Sequence, residues 1–336
     1  MRWLLRLTWL AVLAAGAAAL AAWWWLNRPL PLAGPAAEVS IEAGHSPRRV
    51  AELWVEAGVR TSPRLLYEWF RWSGQARQIR AGSYEVEAGV TPRQLLGKMV
   101  RGDEVLETVR FAEGHTFAQV RAALASAPTL KASTRELSDA QLMAALGEPT
   151  LAPEGRFFPD TYAYSRGVSD LTVLKRAYAS MQRRLISAWA ERAVDLPLKS
   201  MEEALILASI VEKETGREAD RANVAGVFAN RLRIGMPLQT DPSVIYGLGA
   251  AFDGNLRKRD LLADTPYNTY TRRGLPPTPI AMPGAASLRA AVQPAKTGAL
   301  YFVARGDGSG GSVFSETLAD HNRAVNQFQR GGKAPP

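Results

Sequence analysis

The longest apolar stretch of the chain lies at its N-terminus. Residues 7–26 read LTWLAVLAAGAAALAAWWWL, 20 residues without a charged side chain. As a helix this stretch would be ~30 Å long, which matches the hydrocarbon core of a bilayer. Arg2 and Arg6 precede it and only Arg28 follows closely, so the positive-inside rule predicts a cytoplasmic N-terminus. We therefore expect a single-pass protein of the cell inner (plasma) membrane, with the remaining residues periplasmic or otherwise extracytoplasmic.

The tryptophans at 23–25 favour a retained anchor, because indoles prefer the bilayer interface. A cleaved signal peptide is the alternative, since residues 19–21 read ALA, a small-x-small pattern. We assign residues 1–28 to a cytoplasmic tip and anchor, and the proline-rich residues 29–37 to a linker. Export disfavours ATP-dependent chemistry, and the sequence contains no GxxxxGK[ST] phosphate loop.

After the linker, three segments repeat one pattern: alternating apolar residues, a turn glycine, then Ser or Thr. They cover residues 39–46, 84–91 and 109–116. Thr91 and Thr116 each precede a glutamine by three residues, which predicts capping boxes that open helices. Two helical apolar patterns lie between the first two segments and complete a strand–helix–helix–strand order over residues 39–88.

That order resembles the LysM module, a small βααβ unit associated with polymers that contain N-acetylglucosamine. We assign residues 38–105 to a LysM-like subdomain. The alternative is that these are ordinary βα units that support a neighbouring domain.

A second helical signal is apolar on nearly every face and predicts a buried helix over Ala204–Val211, followed by Glu212. Glu212 shares a face with Leu205 and Ala208, so it should emerge along a packed surface. Desolvation and the negative end of the helix dipole are expected to raise its pKa, with Gly216 closing the helix. A carboxyl that is protonated near neutral pH suits a general acid.

The alternative makes Glu212 part of a charged final turn. Glu214 and Glu218 are expected to be exposed and are therefore poorer candidates for the acid.

Polar and aromatic residues farther along the chain are candidates for holding a sugar through hydrogen bonds and ring faces. Asp241 and Pro242 are explained as the cap and first residue of a helix. The candidate sugar-binding residues are Gln239, Thr240, Tyr246, Tyr267 and Asn268.

Composition narrows the chemistry. The 336 residues are 47% hydrophobic and 22% charged, enough for about two folded domains plus an appendage. The absence of cysteine excludes thiolate nucleophiles, iron–sulfur clusters and disulfides. The three histidines are far apart, so we expect neither a metal site nor a cofactor. The net charge of +9 suits an anionic partner, but the arginines are dispersed rather than clustered, which argues against nucleic acid.

Several motifs occur together in one order. They are LASIVEKET at 207–215, NRLRIGMPLQTDPSVIYG at 230–247, YNTY at 267–270 and GLPP at 274–277. They closely resemble the endolytic murein transglycosylase family, also called MltG or YceG-like proteins. The resemblance covers about residues 38–330 and is strongest over 151–326. Thr278 departs from the pattern, because relatives commonly have glycine there, and this puts the local loop shape in doubt.

The resemblance implies an α+β protein with one N-terminal transmembrane helix, the LysM-like subdomain, a larger mixed catalytic domain at 106–330 and a disordered tail at 331–336. It also implies a lyase, a lytic transglycosylase, with Glu212 as its catalytic glutamate. Such an enzyme cleaves the bond between N-acetylmuramic acid and N-acetylglucosamine within nascent strands. The product carries 1,6-anhydro-muramic ends, and cleavage would terminate strand elongation.

The implied partners are peptidoglycan glycan strands, the bilayer through residues 7–26, and proteins of cell-wall synthesis. Three alternatives remain open. One is a muramidase that uses water, with Asp241 or Glu154 as base or nucleophile. Another is a non-catalytic tether that binds peptidoglycan through the LysM-like subdomain. The third is binding to anionic lipid or nucleic acid, whose affinity should fall steeply with salt.

Overall fold

The computed structural model describes residues 2–42 and 44–329, so the tail predicted at 331–336 lies outside the described residues. The chain divides into two compact units. Unit 1 comprises Met1–Thr108 with Ala163–Val168, and unit 2 comprises Val109–Tyr162 with Ser169–Pro336. Among the described residues, the strands form three two-stranded sheets, β1–β2, β3–β4 and β5–β6. The fold is therefore mixed α+β, as predicted.

Unit 1 begins with the predicted apolar helix. Within it, residues Arg6–Asn27 are long and apolar enough to cross a membrane. The sidedness of the helix stays a prediction. The elements of this part of the chain are α1 (Arg2–Asn27), β1 (Ala36–Ile41), α2 (Pro47–Glu56), α3 (Pro63–Trp72), β2 (Gly82–Glu87), α4 (Pro92–Arg101) and β3 (Leu106–Arg110).

The predicted strand–helix–helix–strand order is present as β1-α2-α3-β2. The two strands pair antiparallel, with Ala36 opposite Glu87 and Ile41 opposite Gly82. Inward residues alternate along β1, and together with helix residues such as Trp54 and Phe70 they form a fully buried core. Burial of these large side chains supplies the main driving force for folding this unit.

Unit 2 is organised around a buried helix. Its elements are α5 (Phe117–Ser126), α6 (Asp139–Ala145), β4 (Thr161–Ser165, which also enters unit 1), α7 (Asp170–Ala190), α8 (Met201–Glu214), α9 (Glu218–Arg233), α10 (Asp241–Leu248), α11 (Lys258–Leu262), α12 (Ala285–Val292), β5 (Tyr301–Ala304), β6 (Ser312–Ser315) and α13 (Leu318–Phe328). Every residue of α8 from Ala204 to Val211 is buried, as predicted. Helices α7, α9, α10 and α12 all pack against α8.

Local signals account for several boundaries. Thr91 and Thr116 make the predicted capping boxes at α4 and α5. The glycine-rich segment before Ser312 closes the antiparallel β5–β6 hairpin. Helix α8 ends at Glu214, two residues before the predicted stop at Gly216, because Thr215 already adopts an extended conformation.

Candidate active site

The C-terminal end of α8 carries two glutamates that face different surroundings. They are two residues apart, so their side chains leave the helix about 200° apart. Glu212 has a side chain that is only 6% exposed, with Oε1 at 3.5 Å from Nη2 of Arg221 on α9. Its Oε2 accepts a hydrogen bond of 2.9 Å from the backbone N–H of Gly284, which precedes α12. Glu212 therefore joins three helices through a cation and an amide.

Gly284 lies next to Glu212 and its backbone N–H donates to the Glu212 carboxylate. A Cβ at this position would meet the carboxylate of Glu113, so the Glu113 side chain would have to move. The neighbouring Lys213 donates from Nζ to the carbonyl oxygen of Gly114 at 3.3 Å. The Glu212 side of α8 is thus a closely packed junction held by polar contacts.

Glu214 lies on the other side of α8, and the prediction that it is exposed is wrong. Its carboxylate accepts a hydrogen bond from the hydroxyl of Thr240. Burial raises the pKa of Glu214 to about 7, the Thr240 hydrogen bond lowers it, the charge of Asp241 raises it and the charge of Arg231 lowers it. The segment before α10, more than 20 residues away in sequence, covers this face of the helix end.

Glu214 lines a cavity of about 360 Å³. The other lining residues include four polar side chains: Arg231, Gln239, Asp241 and Tyr270. A carboxyl whose pKa is near neutrality, inside a polar cavity, is the arrangement that favours proton transfer to a bound molecule.

The wall of this cavity contains an unusual backbone conformation. Gln239 has φ +50°, in the left-handed region that non-glycine residues rarely adopt. Its N–H donates to the carbonyl of Thr269 at 3.0 Å. Such strained positions cluster at functional sites, because the surrounding structure must hold them in place. The predicted candidate Gln239 therefore lies beside Glu214 with its main chain held by a second loop.

Asp241 was explained from sequence as a helix cap, and that explanation is wrong. Helix α10 begins at Asp241, with Thr240 in the cap position and no side-chain cap bond. The carboxylate of Asp241 instead accepts a hydrogen bond from the Tyr270 hydroxyl. Asp241 lines the Glu214 cavity, and its negative charge raises the pKa of Glu214.

His321 also lines the Glu214 cavity. Its ring stacks on Tyr301 with centroids 5.3 Å apart, and its Nδ1 is buried without a hydrogen-bond partner among the described residues. Burial and the nearby charge of Arg231 lower the pKa of His321.

A second cavity, of 860 Å³, contains two other predicted residues, Tyr246 and Tyr267. Their rings meet edge to face with centroids 4.9 Å apart. The Tyr267 hydroxyl lies 2.8 Å from the hydroxyl of Thr278, the residue that departs from the family pattern. Lys213 lines this cavity, whereas Glu212 is absent from the lining residues described for it.

Glu154 gives this larger cavity a buried acid. Its two carboxylate oxygens accept the Phe117 N–H at 3.0 and 3.1 Å, at the start of α5, and the Tyr246 hydroxyl donates to it at 3.1 Å. Burial raises the pKa of Glu154 to about 7, although these hydrogen bonds lower it. From the sequence, Glu154 is a candidate only as base or nucleophile of the alternative muramidase.

The remaining two candidates are buried. Thr240 is 1% exposed and Asn268 is fully buried. The Asn268 side-chain amide donates to three backbone carbonyls between 260 and 263, and its oxygen accepts the N–H of Tyr270 at 2.9 Å. Asn268 therefore organises the loop that carries Tyr270. Of the five predicted residues, Gln239 therefore lines one cavity, Tyr246 and Tyr267 line another, and Thr240 and Asn268 are buried.

No group of three or more His, Asp or Glu side chains within the described residues could hold a metal ion.

Comparison with known proteins supplies the context for this geometry. The profile of the YceG-like family matches residues 39–327. The chain is 30% identical over 314 residues to the endolytic murein transglycosylase of Bacillus subtilis (strain 168), covering 86% of this chain and 84% of the relative. It is 26% identical over 320 residues to the endolytic murein transglycosylase of Streptococcus pneumoniae (serotype 2, strain D39), covering 85% of this chain and 57% of that relative.

A solved structure is also similar. The crystal structure of a yceG-like protein from Listeria monocytogenes is 29% identical with a TM-score of 0.54, and the match covers 86% of this chain and 98% of the other.

Proposed function

Because the chain belongs to the YceG-like family, we propose that it is an endolytic murein transglycosylase, a lyase that cuts within the glycan strands of peptidoglycan. Its curated relatives carry that name. The single structural observation that carries the proposal is the Glu214 carboxyl, which lines a polar cavity and has its pKa raised to about 7. About half of such a group is protonated at neutral pH, so it can both donate and accept a proton.

The catalytic acid is assigned to one of the two glutamates at the end of α8. The sequence and the family resemblance predicted Glu212, which stays a candidate. The geometry favours Glu214, because Glu212 is already engaged by Arg221 and by the Gly284 amide. Those contacts stabilise a fixed carboxylate, while Glu214 has no cation within ion-pair distance among the described residues.

The proposed reaction needs one carboxyl. The protonated Glu214 donates its proton to the glycosidic oxygen as the bond from this oxygen to C1 of the muramic residue breaks and an oxocarbenium-like state develops. The resulting carboxylate then takes the proton of the C6 hydroxyl of the same residue. The C6 oxygen bonds to C1 and closes a 1,6-anhydro ring, so no water is consumed and Glu214 returns to its protonated form.

The other predicted residues have supporting parts in this proposal. Gln239 faces the reacting sugar from the wall of the Glu214 cavity, and Thr240 orients the acid through its hydroxyl. Tyr246 and Tyr267 hold a neighbouring part of the glycan by their ring faces in the larger cavity. Asn268 shapes the loop that carries Tyr270.

The location and domain assignments are proposals as well. Helix α1 anchors the chain in the inner membrane with its N-terminus in the cytoplasm, supported by its length, its apolar composition and the flanking arginines. The βααβ order supports a LysM-like subdomain at 38–105. The other proposed segments are a cytoplasmic tip and anchor at 1–28, a linker at 29–37 and a catalytic domain at 106–330. An anchored enzyme would meet nascent strands and the proteins that synthesise them, and its cuts would terminate elongation.

A muramidase is the second candidate function. Asp241 lines the same cavity as Glu214 and is the second carboxyl that a water-using enzyme needs. The Tyr270 hydroxyl donates to the Asp241 carboxylate and fixes its orientation in the cavity.

The deciding experiment incubates the full chain with purified peptidoglycan and analyses the soluble products by mass spectrometry. The variants are Glu214→Gln and Glu212→Gln, with Glu218→Gln as a control of equal charge at an exposed position on α9. The proposal expects fragments one water lighter than hydrolysed ones from the wild type and both other variants, and none from Glu214→Gln. Loss only with Glu212→Gln would return the acid to Glu212. Hydrated ends would establish the muramidase, and binding without cleavage by every protein would establish the tether.

A further inference from the structure

Helix α3 presents apolar side chains to solvent along one face. Leu65, Trp69 and Trp72 are spaced by four and three residues, so they lie on the same side of the helix. Leu65 is 51% exposed and Trp72 is 78% exposed, whereas Trp69 is partly buried. A tryptophan exposed to this extent beside another apolar side chain is typical of an interaction surface.

This face lies beside the point where the chain leaves its apolar N-terminal helix. The indole nitrogen of Trp69 donates to the carbonyl of Pro92 at 3.0 Å. Two residues earlier, the carbonyl of Val90 accepts the N–H of Leu30 at 2.8 Å, three residues after α1 ends. Trp25, in the last turn of α1, packs against the same core as α3. The contacts therefore connect the exposed face of α3 to the exit of α1 within unit 1.

The charge around this face has one predominant sign. The segment 62–81 contains the exposed residues Arg64, Arg71, Arg77 and Arg80 and a single acid, Glu68. Glu68 lies 3.5 Å from Arg71, so it offsets only one of the four cations. The guanidinium of Arg71 also lies over the ring of Trp72, 5.7 Å from its centroid.

A surface that combines exposed indole, leucine and arginine side chains is typical of proteins that bind the head-group region of a bilayer. Indoles favour that depth, and arginines bind anionic lipid phosphates. Stacking on a sugar would use the indole face but would leave the leucine and the excess of cations without a partner.

We propose that a surface of α3 and the segment after it, the α3 patch, binds the anionic head-group surface of the same membrane that α1 crosses. The α3 patch consists of Leu65, Trp72, Arg64, Arg71 and Arg77. The α3 patch would then be a second, non-spanning contact that holds unit 1 against the bilayer. This inference rests on the proposed membrane anchor, but it is tested separately from it.

The absence of cysteine allows one fluorophore to be attached at one introduced thiol. Trp72→Cys and Leu65→Cys are labelled with an environment-sensitive dye in the full chain. Arg48→Cys at the start of α2 is the control. The control position is distant from the exit of α1 along the β1–β2 pair. Ala36 lies at the end of β1 near Val90, Ile41 lies at the end that leads to α2, and the six paired residues place these ends about 17 Å apart.

Each labelled protein is reconstituted in vesicles of phosphatidylethanolamine with a minority of phosphatidylglycerol, with and without lipid that is spin-labelled near the head group. We expect blue-shifted emission and several-fold stronger quenching at positions 72 and 65 than at 48. Equal quenching at all three positions would overturn the inference. A blue shift at 72 produced by soluble glycan fragments in detergent, without one in vesicles, would overturn it in favour of a sugar site.

Resistance to alkaline extraction from the same vesicles tests the anchor independently. Protein that resists extraction but shows no quenching at 72 contradicts the α3 patch alone. Protein that is extracted contradicts the anchor, and with it the premise of this inference. The peptidoglycan assay is performed in detergent and reports on catalysis in either case.

Discussion

The two sides of the α8 terminus differ in how their carboxyls are satisfied, although Glu212 and Glu214 are separated by one residue. On one side Glu212 meets a guanidinium and a backbone amide. On the other side Glu214 meets a hydroxyl and the negative charge of Asp241 inside a cavity, and its pKa rises to about 7. Identical side chains on one helix end thus have opposite uses: a paired carboxylate stabilises the fold, while an unpaired buried acid can exchange a proton.

The largest expected effect is on catalysis. Glu214→Gln removes the exchangeable proton while keeping the shape, and we expect a loss of about 10²–10⁴-fold in the rate of anhydro-product formation. Glu212→Gln should retain the reaction in whatever fraction remains folded. Initial rates per folded molecule, measured on peptidoglycan, make this comparison. A greater loss in Glu212→Gln would reverse the assignment of the two sides.

The second effect is on stability, where we expect Glu212→Gln to be more harmful than Glu214→Gln, the reverse of their order in catalysis. Glu212→Gln leaves Arg221 largely buried without its anionic partner, which should cost about 3 kcal/mol in the free energy of unfolding. Glu214→Gln replaces a carboxyl that is already half neutral at pH 7, so it should cost far less. Denaturant unfolding of Glu212→Gln and Glu214→Gln compares the two sides, and unfolding of Arg221→Met alone and combined with Glu212→Gln completes a double-mutant cycle that measures the coupling of Glu212 with Arg221. A coupling near zero would contradict the paired role of Glu212.

The sequence predicted the helices better than it predicted what covers them. Local signals, such as the Thr116 capping box and the apolar run of α8, depend on residues within a few positions and were confirmed. The partners of Glu212 and Glu214 come from 9 to 72 residues farther along the chain, and periodicity holds no information about them. The face argument therefore anticipated a buried Glu212, but neither its pairing with Arg221 nor the burial of Glu214.

Asn268 illustrates the same limit within a loop. A polar residue between two tyrosines suggested a sugar ligand, yet its amide satisfies the carbonyls of its own loop. Nothing in the local sequence separates these two uses, because both need a hydrogen-bonding side chain in a turn.

A third effect concerns Glu154, which has the pKa of Glu214 without its proposed role. Its folded pKa of about 7 lies above the ordinary 4.5, so the folded state binds more protons between these values. Stability therefore falls as pH rises from about 4.5 to about 7, by roughly 3 kcal/mol for this group, and changes little above that range. Glu154→Gln should flatten this part of the stability profile, as measured by melting at several pH values. An unchanged slope would show that Glu154 is ionised in the folded protein.

The smallest effect tests the hydrogen bond that tunes Glu214. Thr240→Val keeps the buried volume but removes the hydroxyl, whose hydrogen bond lowers the pKa of Glu214. The pKa should rise further, so the alkaline limb of the pH–rate profile should move to higher pH, because an acid is active in its protonated form. Thr240→Ser, which keeps the hydroxyl, should restore the wild-type limb. If Thr240→Val lowers the rate equally at every pH, Thr240 contributes packing alone. If instead the alkaline limb moves and Thr240→Ser restores it, the reacting acid is the carboxyl that Thr240 contacts. That carboxyl is Glu214 rather than Glu212.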